Sequence, residues 1–318
     1  VVTEAGEVLA GVAGKLRFNA ATPAAFPAVG DFVLLDRSDN TTGQAVIQQV
    51  LTRTSVFVRK AAGTASTEQV VASNIDTVFI CMSLNSDFNL RRLERYLAIA
   101  WSSGALPVVV LTKADLCADV AAKVSEAESV AIGTEILVTS SLAEDGHDQI
   151  LPYLHCGSTA AFIGSSGVGK STLINRLAGT AFATSGLRND DKGRHTTTRR
   201  ELIVLANGGV VIDTPGMREL GLETADLAKG FADIDELAQQ CRFRDCTHTH
   251  ETGCAVQQAI QNGSLAADRL ASYQKLQKEL SYAGLDARQL EMTKLNTMFK
   301  DVGGMKNARR FLHNKDKR

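Results

Sequence analysis

The chain has 318 residues, 44% of them hydrophobic and 22% charged, with a formal net charge of -1. That length and balance fit a soluble globular protein of two or three domains, each able to build a core. No membrane-spanning helix is visible: the longest apolar runs, Thr77–Leu84 and Ala105–Leu111, have strand length, whereas a spanning helix needs about 20 residues.

A chain opening on Val1 in place of Met is expected to be trimmed, and no basic, apolar, small-residue signal pattern follows it. Residues 1 to 72 read as β-rich. Short segments at Glu7–Ala13, Asp31–Leu35, Ala45–Val50 and Ser55–Val58 are separated by Gly, Pro, Asn and Asp, a spacing that suits a small barrel or a sandwich.

From Asn74 the rhythm changes to strands alternating with helices. Thr77–Met82 is a β-branched apolar run, followed by a helix over Leu90–Trp101 with Asn89 as its N-cap. Strand Leu106–Leu111, a helix around Asp119–Val130 and strand Glu135–Thr139 come next, then strand Ala160–Ile163 and helix Lys170–Ala178, ended by Gly179. Such alternation predicts an α/β fold with a parallel sheet covered on both faces. Ala183–Thr198 is polar and aperiodic and reads as a loop. Glu201–Ala206 and Val210–Ile212, joined at Asn207-Gly208, predict a hairpin.

After Leu222 the strand signals stop and helices surround a cysteine cluster. The last stretch, Asp286–Arg318, carries nine Lys/Arg against four Asp/Glu. It reads either as a solvated helix end or as a phosphate-backbone contact. The near-neutral total decides nothing here, because a basic surface can sit inside it.

Gly164-Ser165-Ser166-Gly167-Val168-Gly169-Lys170-Ser171 fits G-x-x-x-x-G-K-[ST] between a strand and a helix. Glycines let backbone N–H groups wrap a phosphate, and the helix that follows adds its positive end. Lys170 is placed to reach the β- and γ-phosphates and Ser171 to ligate Mg²⁺. Asp213-Thr214-Pro215-Gly216 ends the second hairpin strand, where Asp213 suits Mg²⁺ and the Gly216 N–H suits the γ-phosphate.

Thr112-Lys113-Ala114-Asp115 follows strand Leu106–Leu111. A carboxylate there accepts from guanine N1–H and the exocyclic amine, a pair that adenine lacks, while Lys113 lies along the base. The usual first residue of such an element is Asn, and here it is Thr112. Ser140, in Thr139-Ser140-Ser141, ends the next strand and suits the loop behind the guanine. These elements precede the phosphate loop in the chain, the reverse of ordinary GTPases, so the order predicts a circular permutation.

In the loop Gly193–Thr198, Thr198 is the expected Mg²⁺ ligand, with Thr197 its rival. Met217 stands where many GTPases hold a water-orienting Gln. Hydrolysis is therefore expected to be slow alone and to need a polar group from His195 or a partner.

Cys241-x4-Cys246-x-His248-x5-Cys254 supplies three thiolates and an imidazole, the donor set of a closed structural zinc site; His250 is the competing imidazole. Without a secretion signal, this crowding argues for metal over disulfides and for the cytoplasm. Cys81, Cys117 and Cys156 are expected to be buried small hydrophobes.

Together these residues resemble the bacterial ribosome small-subunit-dependent GTPase A family. The carrying stretches are Val29-Gly30-Asp31, Arg59-Lys60-Ala61-Ala62-Gly63, Asn74-Ile75-Asp76, Leu111–Leu116, Gly164–Thr172, His195–Thr198, Asp213–Gly216 and Cys241–His248. The resemblance implies an RNA-binding OB-fold over 1–72, a circularly permuted GTPase domain over 73–222 and a mostly helical zinc domain over 223–318. It implies binding to the small ribosomal subunit and its rRNA, late in assembly, with GTP hydrolysis stimulated by the subunit.

The resemblance also supports Cys241, Cys246, His248 and Cys254 as ligands of one Zn²⁺, and His195 as the residue assisting hydrolysis. It extends the GTP contacts to Thr172. Where the family often has Pro after Glu251, this chain has Thr252. The expected particle is a monomer that cycles between GTP and GDP. One alternative is a nucleotide-gated RNA-binding switch with negligible hydrolysis of its own, favoured by Met217. An ATPase is a second, and Thr112–Asp115 argues against it.

Overall fold

The computed structural model describes residues 1–39, 43–60, 68–140, 147–179, 201–213 and 227–282, with isolated positions up to 293. At the N-terminus, β1 (Val2–Thr3) and β2 (Gly6–Glu7) form a short hairpin. A three-stranded sheet comes next, in the order β3-β5-β4, from β3 (Ala10–Val12), β4 (Val33–Leu35) and β5 (Ala45–Val50). β6 (Val56–Lys60) pairs antiparallel with β7 (Glu68–Ser73).

Two elements here were not expected. Helix α1 (Gly14–Asn19) buries none of its residues, so it has no apolar period to read. β7 opens on Glu68 and Gln69, and only its second half, Val70–Ser73, is buried.

A buried ion pair joins the segment before β4 to the connection between β5 and β6. Arg53 donates through Nε and Nη2 to the two carboxylate oxygens of Asp31, both at 2.7 Å. The Ser73 hydroxyl and the Ala28 N–H complete the carboxylate's partners. Burial pushes the Asp31 carboxyl up, and the hydrogen bonds from Arg53, Ser73 and Ala28 outweigh it and hold it below its ordinary value. Asn74, at φ 53°, donates to the Gly30 carbonyl and accepts from the Thr54 N–H. Gly30 must be glycine: its φ is +90°, and a Cβ would lie 2.1 Å from the Ser73 carbonyl oxygen. These contacts account for Val29-Gly30-Asp31 and Asn74 as joint-forming residues.

The centre is a six-stranded sheet in the order β10-β9-β8-β11-β13-β12. Its strands are β8 (Thr77–Ser83), β9 (Leu106–Thr112), β10 (Glu135–Val138), β11 (Thr159–Gly164), β12 (Glu201–Val204) and β13 (Val210–Asp213). All pairs are parallel except β12 with β13, the expected hairpin. Helices α2 (Leu90–Ser103), α3 (Val120–Glu128) and α4 (Lys170–Ala178) fill the connections.

Alternate residues of β8 feed two cores. Val78, Ile80 and Met82 pack with Leu93 and Leu97 of α2, while Phe79 and Cys81 pack with Phe162, Leu173 and Ile174. Coverage on both faces explains why β8 is apolar throughout. From β8 the chain runs outward to β9 and β10, then returns to β11 on the other side. The strand order thus reverses between β8 and β11, and the carboxyl ends of those strands flank the crevice where α/β sheets bind ligands.

Behind the sheet come α5 (Leu227–Gly230), α6 (Ala232–Ala238), α7 (Ala255–Gln261) and α8 (Ala267–Ser281). They dock on α2 through Arg269, which is 4% exposed and reaches Glu94 at 3.0 Å, Asp233 at 2.6 Å and the Gly230 carbonyl. Its guanidinium also lies 4.8 Å from the Phe231 ring centre. Among the described residues no helix is long and apolar enough to cross a membrane. One expectation is corrected: Cys81 is buried and its thiol is pushed up to about 12, Cys117 is half-buried, but Cys156 is exposed. Cys156 sits beside the turn Asn207-Gly208 at the sheet's end, where packing is open on one side.

Candidate functional site

The phosphate loop leaves β11 at Gly164, whose position against β8 admits nothing larger. Its φ is +148°, and a Cβ would lie 2.4 Å from the Cys81 carbonyl oxygen. Gly169, at φ 108°, begins α4 without any side-chain cap, so the first-turn N–H groups are left for an anion. Lys170 Nζ reaches back over the loop to the carbonyls of Gly164 at 2.8 Å and Ser165 at 2.7 Å. Ser166, Gly167, Ser171 and Thr172 are exposed, and Val168 plugs its side chain into the core beneath.

The element expected to read the base lies against this loop. Thr112 ends β9 and is buried, and its hydroxyl donates to the Val168 carbonyl at 2.6 Å. A threonine in place of the usual Asn therefore still ties the element to the phosphate loop. Lys113 turns the chain at φ 57° into a short helical turn, Ala114–Leu116. Asp115 is exposed and accepts from the Ser140 hydroxyl at 2.5 Å, while the Ala114 N–H donates to the Thr139 carbonyl. Thus Thr112–Asp115 and Ser140, 25 residues apart, meet at the ends of neighbouring strands.

Asp213 ends β13, beside β11 and so on the far side of the loop from Thr112. His195, Thr198, Gly216 and Met217 lie outside the described residues.

The sequence alone does not single out Asp87, in the turn between β8 and α2. Its carboxylate accepts from the Ser165 hydroxyl and from both terminal nitrogens of Arg92, at 2.8 and 3.1 Å. Hydrogen bonds from Arg92 first, then Ser165, hold it below the ordinary carboxylate range. The nearest signal is positional: Asp87 precedes a helix N-cap at a strand end neighbouring the loop.

Away from the nucleotide crevice, Cys241, Cys246, His248 and Cys254 bring their ligand atoms within 4.8 Å of one another. The Sγ atoms of Cys241 and Cys254 are 3.8 Å apart, and His248 Nδ1 is 3.6 and 3.5 Å from them. Metal–sulfur bonds of ~2.3 Å and metal–nitrogen bonds of ~2.0–2.1 Å at tetrahedral angles require about 3.8 and 3.6 Å. Cys241, Cys254 and His248 therefore stand at the separations of a tetrahedral metal site, with Cys246 as the fourth donor within 4.8 Å.

His248 occupies φ 58°, a conformation costing a non-glycine residue about 1–2 kcal/mol, and Gln257 anchors its carbonyl at 2.6 Å. His250 stays outside the cluster. Its backbone N–H, with those of Thr247 and Thr249, donates to the Glu251 carboxylate, which shapes the loop and is held well below the usual range, the Thr247 hydroxyl contributing most.

A model of the RsgA GTPase family matches residues 50–223. The chain belongs to the RsgA GTPase family. It is 55% identical over 315 residues to "Small ribosomal subunit biogenesis GTPase RsgA 2" of Lactiplantibacillus plantarum, covering 98% of this chain and 89% of that one. To "Small ribosomal subunit biogenesis GTPase RsgA 1" of Listeria innocua it is 46% identical over 286 residues, covering 89% and 80%. Among solved structures it resembles YjeQ from Thermotoga maritima, with a TM-score of 0.61 and 30% identity over 87% of this chain and 91% of that one. It also resembles YloQ, described as a circularly permuted GTPase, with a TM-score of 0.58 and 27% identity over 87% of each chain. The family, the names of the relatives and the likeness to a circularly permuted GTPase agree: the chain is a GTPase.

Proposed function

We propose that this GTPase binds the small ribosomal subunit and assists its late assembly, hydrolysing GTP to GDP and phosphate under stimulation by the subunit. The bond from Thr112 to Val168 carries the chemical half of this reading, because it sets a base reader and a phosphate loop at one fixed separation. The ribosomal half rests on the relatives' names.

In this reading Lys170 and the loop N–H groups of Gly164–Thr172 grip the phosphates, and Asp115, backed by Ser140, selects guanine. Ser171, Asp213 and Thr198 hold Mg²⁺, which neutralises charge on the phosphates. The Gly216 N–H meets the γ-phosphate, and His195 orients the attacking water in place of the side chain that Met217 cannot supply. Catalysis is then almost entirely positioning and electrostatic stabilisation, to which the subunit adds.

The cysteine cluster binds one structural Zn²⁺ in a mostly helical domain over 223–318, behind a GTPase domain over 73–222. Residues 1–72 act as an RNA-binding OB-fold that contacts rRNA. The protein works as a cytoplasmic monomer. Phosphate release from GTP and ATP, alone and with purified small or large subunits, tests the whole. Slow GTP turnover that rises steeply only with the small subunit is expected. Turnover indifferent to ribosomes would remove the ribosomal role and leave the nucleotide site standing.

A further inference from the structure

Ser165, the second residue of the phosphate loop, is held through both its hydroxyl and its carbonyl. Its carbonyl accepts from Lys170 Nζ at 2.7 Å, and its hydroxyl donates to Asp87. Asp87 comes from the turn after the strand next to β11, across the point where the sheet order reverses. The carboxylate is itself fixed. Arg92 donates to both its oxygens and to the Asp87 carbonyl, the last at 2.7 Å, while Asn85 accepts from the Asp87 N–H at 3.0 Å. Arg92 in turn is fixed by Asn89, which caps α2 by accepting from the Arg92 N–H at 3.0 Å.

An ionised carboxylate only accepts hydrogen bonds, so the Ser165 hydroxyl is forced to donate away from the loop's mouth. That sets the Ser165 rotamer, and with it the peptide whose carbonyl meets Lys170. A bare carboxylate this close to the loop would also repel phosphate. The bidentate arginine cancels that charge with one bond to each oxygen and leaves Oδ2 able to accept from Ser165 as well.

We propose that Asp87, neutralised by Arg92, is a positioning residue for GTP binding, acting through Ser165 on the phosphate loop and Lys170. This rests on the reading of Gly164–Ser171 as the loop that holds phosphate. A mere cap for α2 would stabilise the helix and leave nucleotide affinity alone. A positioning pair ties affinity to Ser165 and to the sign of the local charge.

The test is GTP KM and kcat, GDP Kd and the thermal midpoint for Asp87→Ala, Ser165→Ala, Arg92→Met and their combinations, with Lys170→Ala as reference. Losing a hydrogen bond to a charged group should raise KM and Kd about tenfold in either Asp87→Ala or Ser165→Ala, with kcat changed less. The double variant should be no worse than either single one. Arg92→Met, which uncovers the carboxylate, should raise KM more than Asp87→Ala, and adding Asp87→Asn to it should recover most of the loss.

Additive effects of Asp87→Ala and Ser165→Ala, or an Arg92→Met defect that Asp87→Asn does not relieve, overturn the proposal. Should Asp87→Ala fail to fold, the Arg92→Met and Asp87→Asn pair decides alone. If Lys170→Ala destroys nucleotide binding while Asp87→Ala and Ser165→Ala leave it intact, this proposal falls and the phosphate loop stands. If Lys170→Ala also leaves binding intact, the loop reading falls and takes the proposal with it.

Discussion

The nucleotide crevice and the cysteine cluster solve opposite problems. The crevice gathers residues from distant parts of the chain, with Thr112 bonded to Val168 and Asp87 to Ser165, on the ends of strands already locked into a two-faced core. The cluster gathers its four ligands from fourteen residues of sequence, between short helices of seven residues each. A sheet holds the first geometry in place whatever is bound. The second also buries Cys254, Val256 and Ala259 in the core, but its three thiols and imidazole converge on a point that a metal would fill. So the crevice should respond to mutation in function, and the cluster in folding.

The largest effect should come from Cys246→Ser. Breaking the ligand set removes metal and unfolds the C-terminal helices, read by metal analysis and by proteolysis after about residue 223; structural zinc is worth roughly 10 kcal/mol or more to small domains. Loss of metal with an intact C-terminal fragment would show that packing through Arg269 on Glu94 suffices, and would erase the contrast.

Lys170→Ala should come next, lowering turnover at least about a hundredfold with the thermal midpoint little moved. A parallel collapse of stability would make the crevice as fold-dependent as the cluster.

Arg53→Met tests a third kind of joint. It strands the buried Asp31 carboxylate and should cost about 3–5 kcal/mol in denaturant unfolding. The pH dependence carries a sign. Asp31 is held below its ordinary value when folded, so its contribution is complete above its unfolded value of ~3.9 and is lost as pH falls through the lower folded one. Wild type should therefore lose this stability only below about pH 4, and Arg53→Met should lack that component at neutral pH.

The smallest effect belongs to Thr112→Val, which leaves the Val168 carbonyl unpaired. It should cost about 1–3 kcal/mol of GTP binding, with Thr112→Ser close to wild type. Equal losses in both would place the role in the methyl group's packing and not in the bond.

Much of the fold and the site was legible in sequence, for identifiable reasons. β5 and α4 match their expected limits, and Asn89 and Asp119 cap the helices they were expected to open, because period and cap chemistry are local. The phosphate loop and the three clustered cysteines were legible from spacing, while His248 and not His250 as their partner needed the fold. What escaped was set by distant partners. Asp87 is an ordinary turn acid until β8 is laid beside β11. Arg53 and Arg269 look like surface cations until Asp31, and Glu94 with Asp233, close over them. α1 carries no period because it buries none of its residues, and Cys156 is exposed beside the turn Asn207-Gly208.

The central claim is that a permuted chain rebuilds one GTP-selective site, with Asp115 reading the base. Competition of GTP and xanthosine triphosphate for wild type and Asp115→Asn tests it most directly. Wild type should hydrolyse GTP and ignore the xanthosine analogue, and Asp115→Asn should reverse that preference, because an amide donates to the oxygen that xanthine carries in place of guanine's amine. An unaltered preference for GTP in Asp115→Asn would contradict the assignment of Thr112–Asp115 as the base reader, and with it the permuted site.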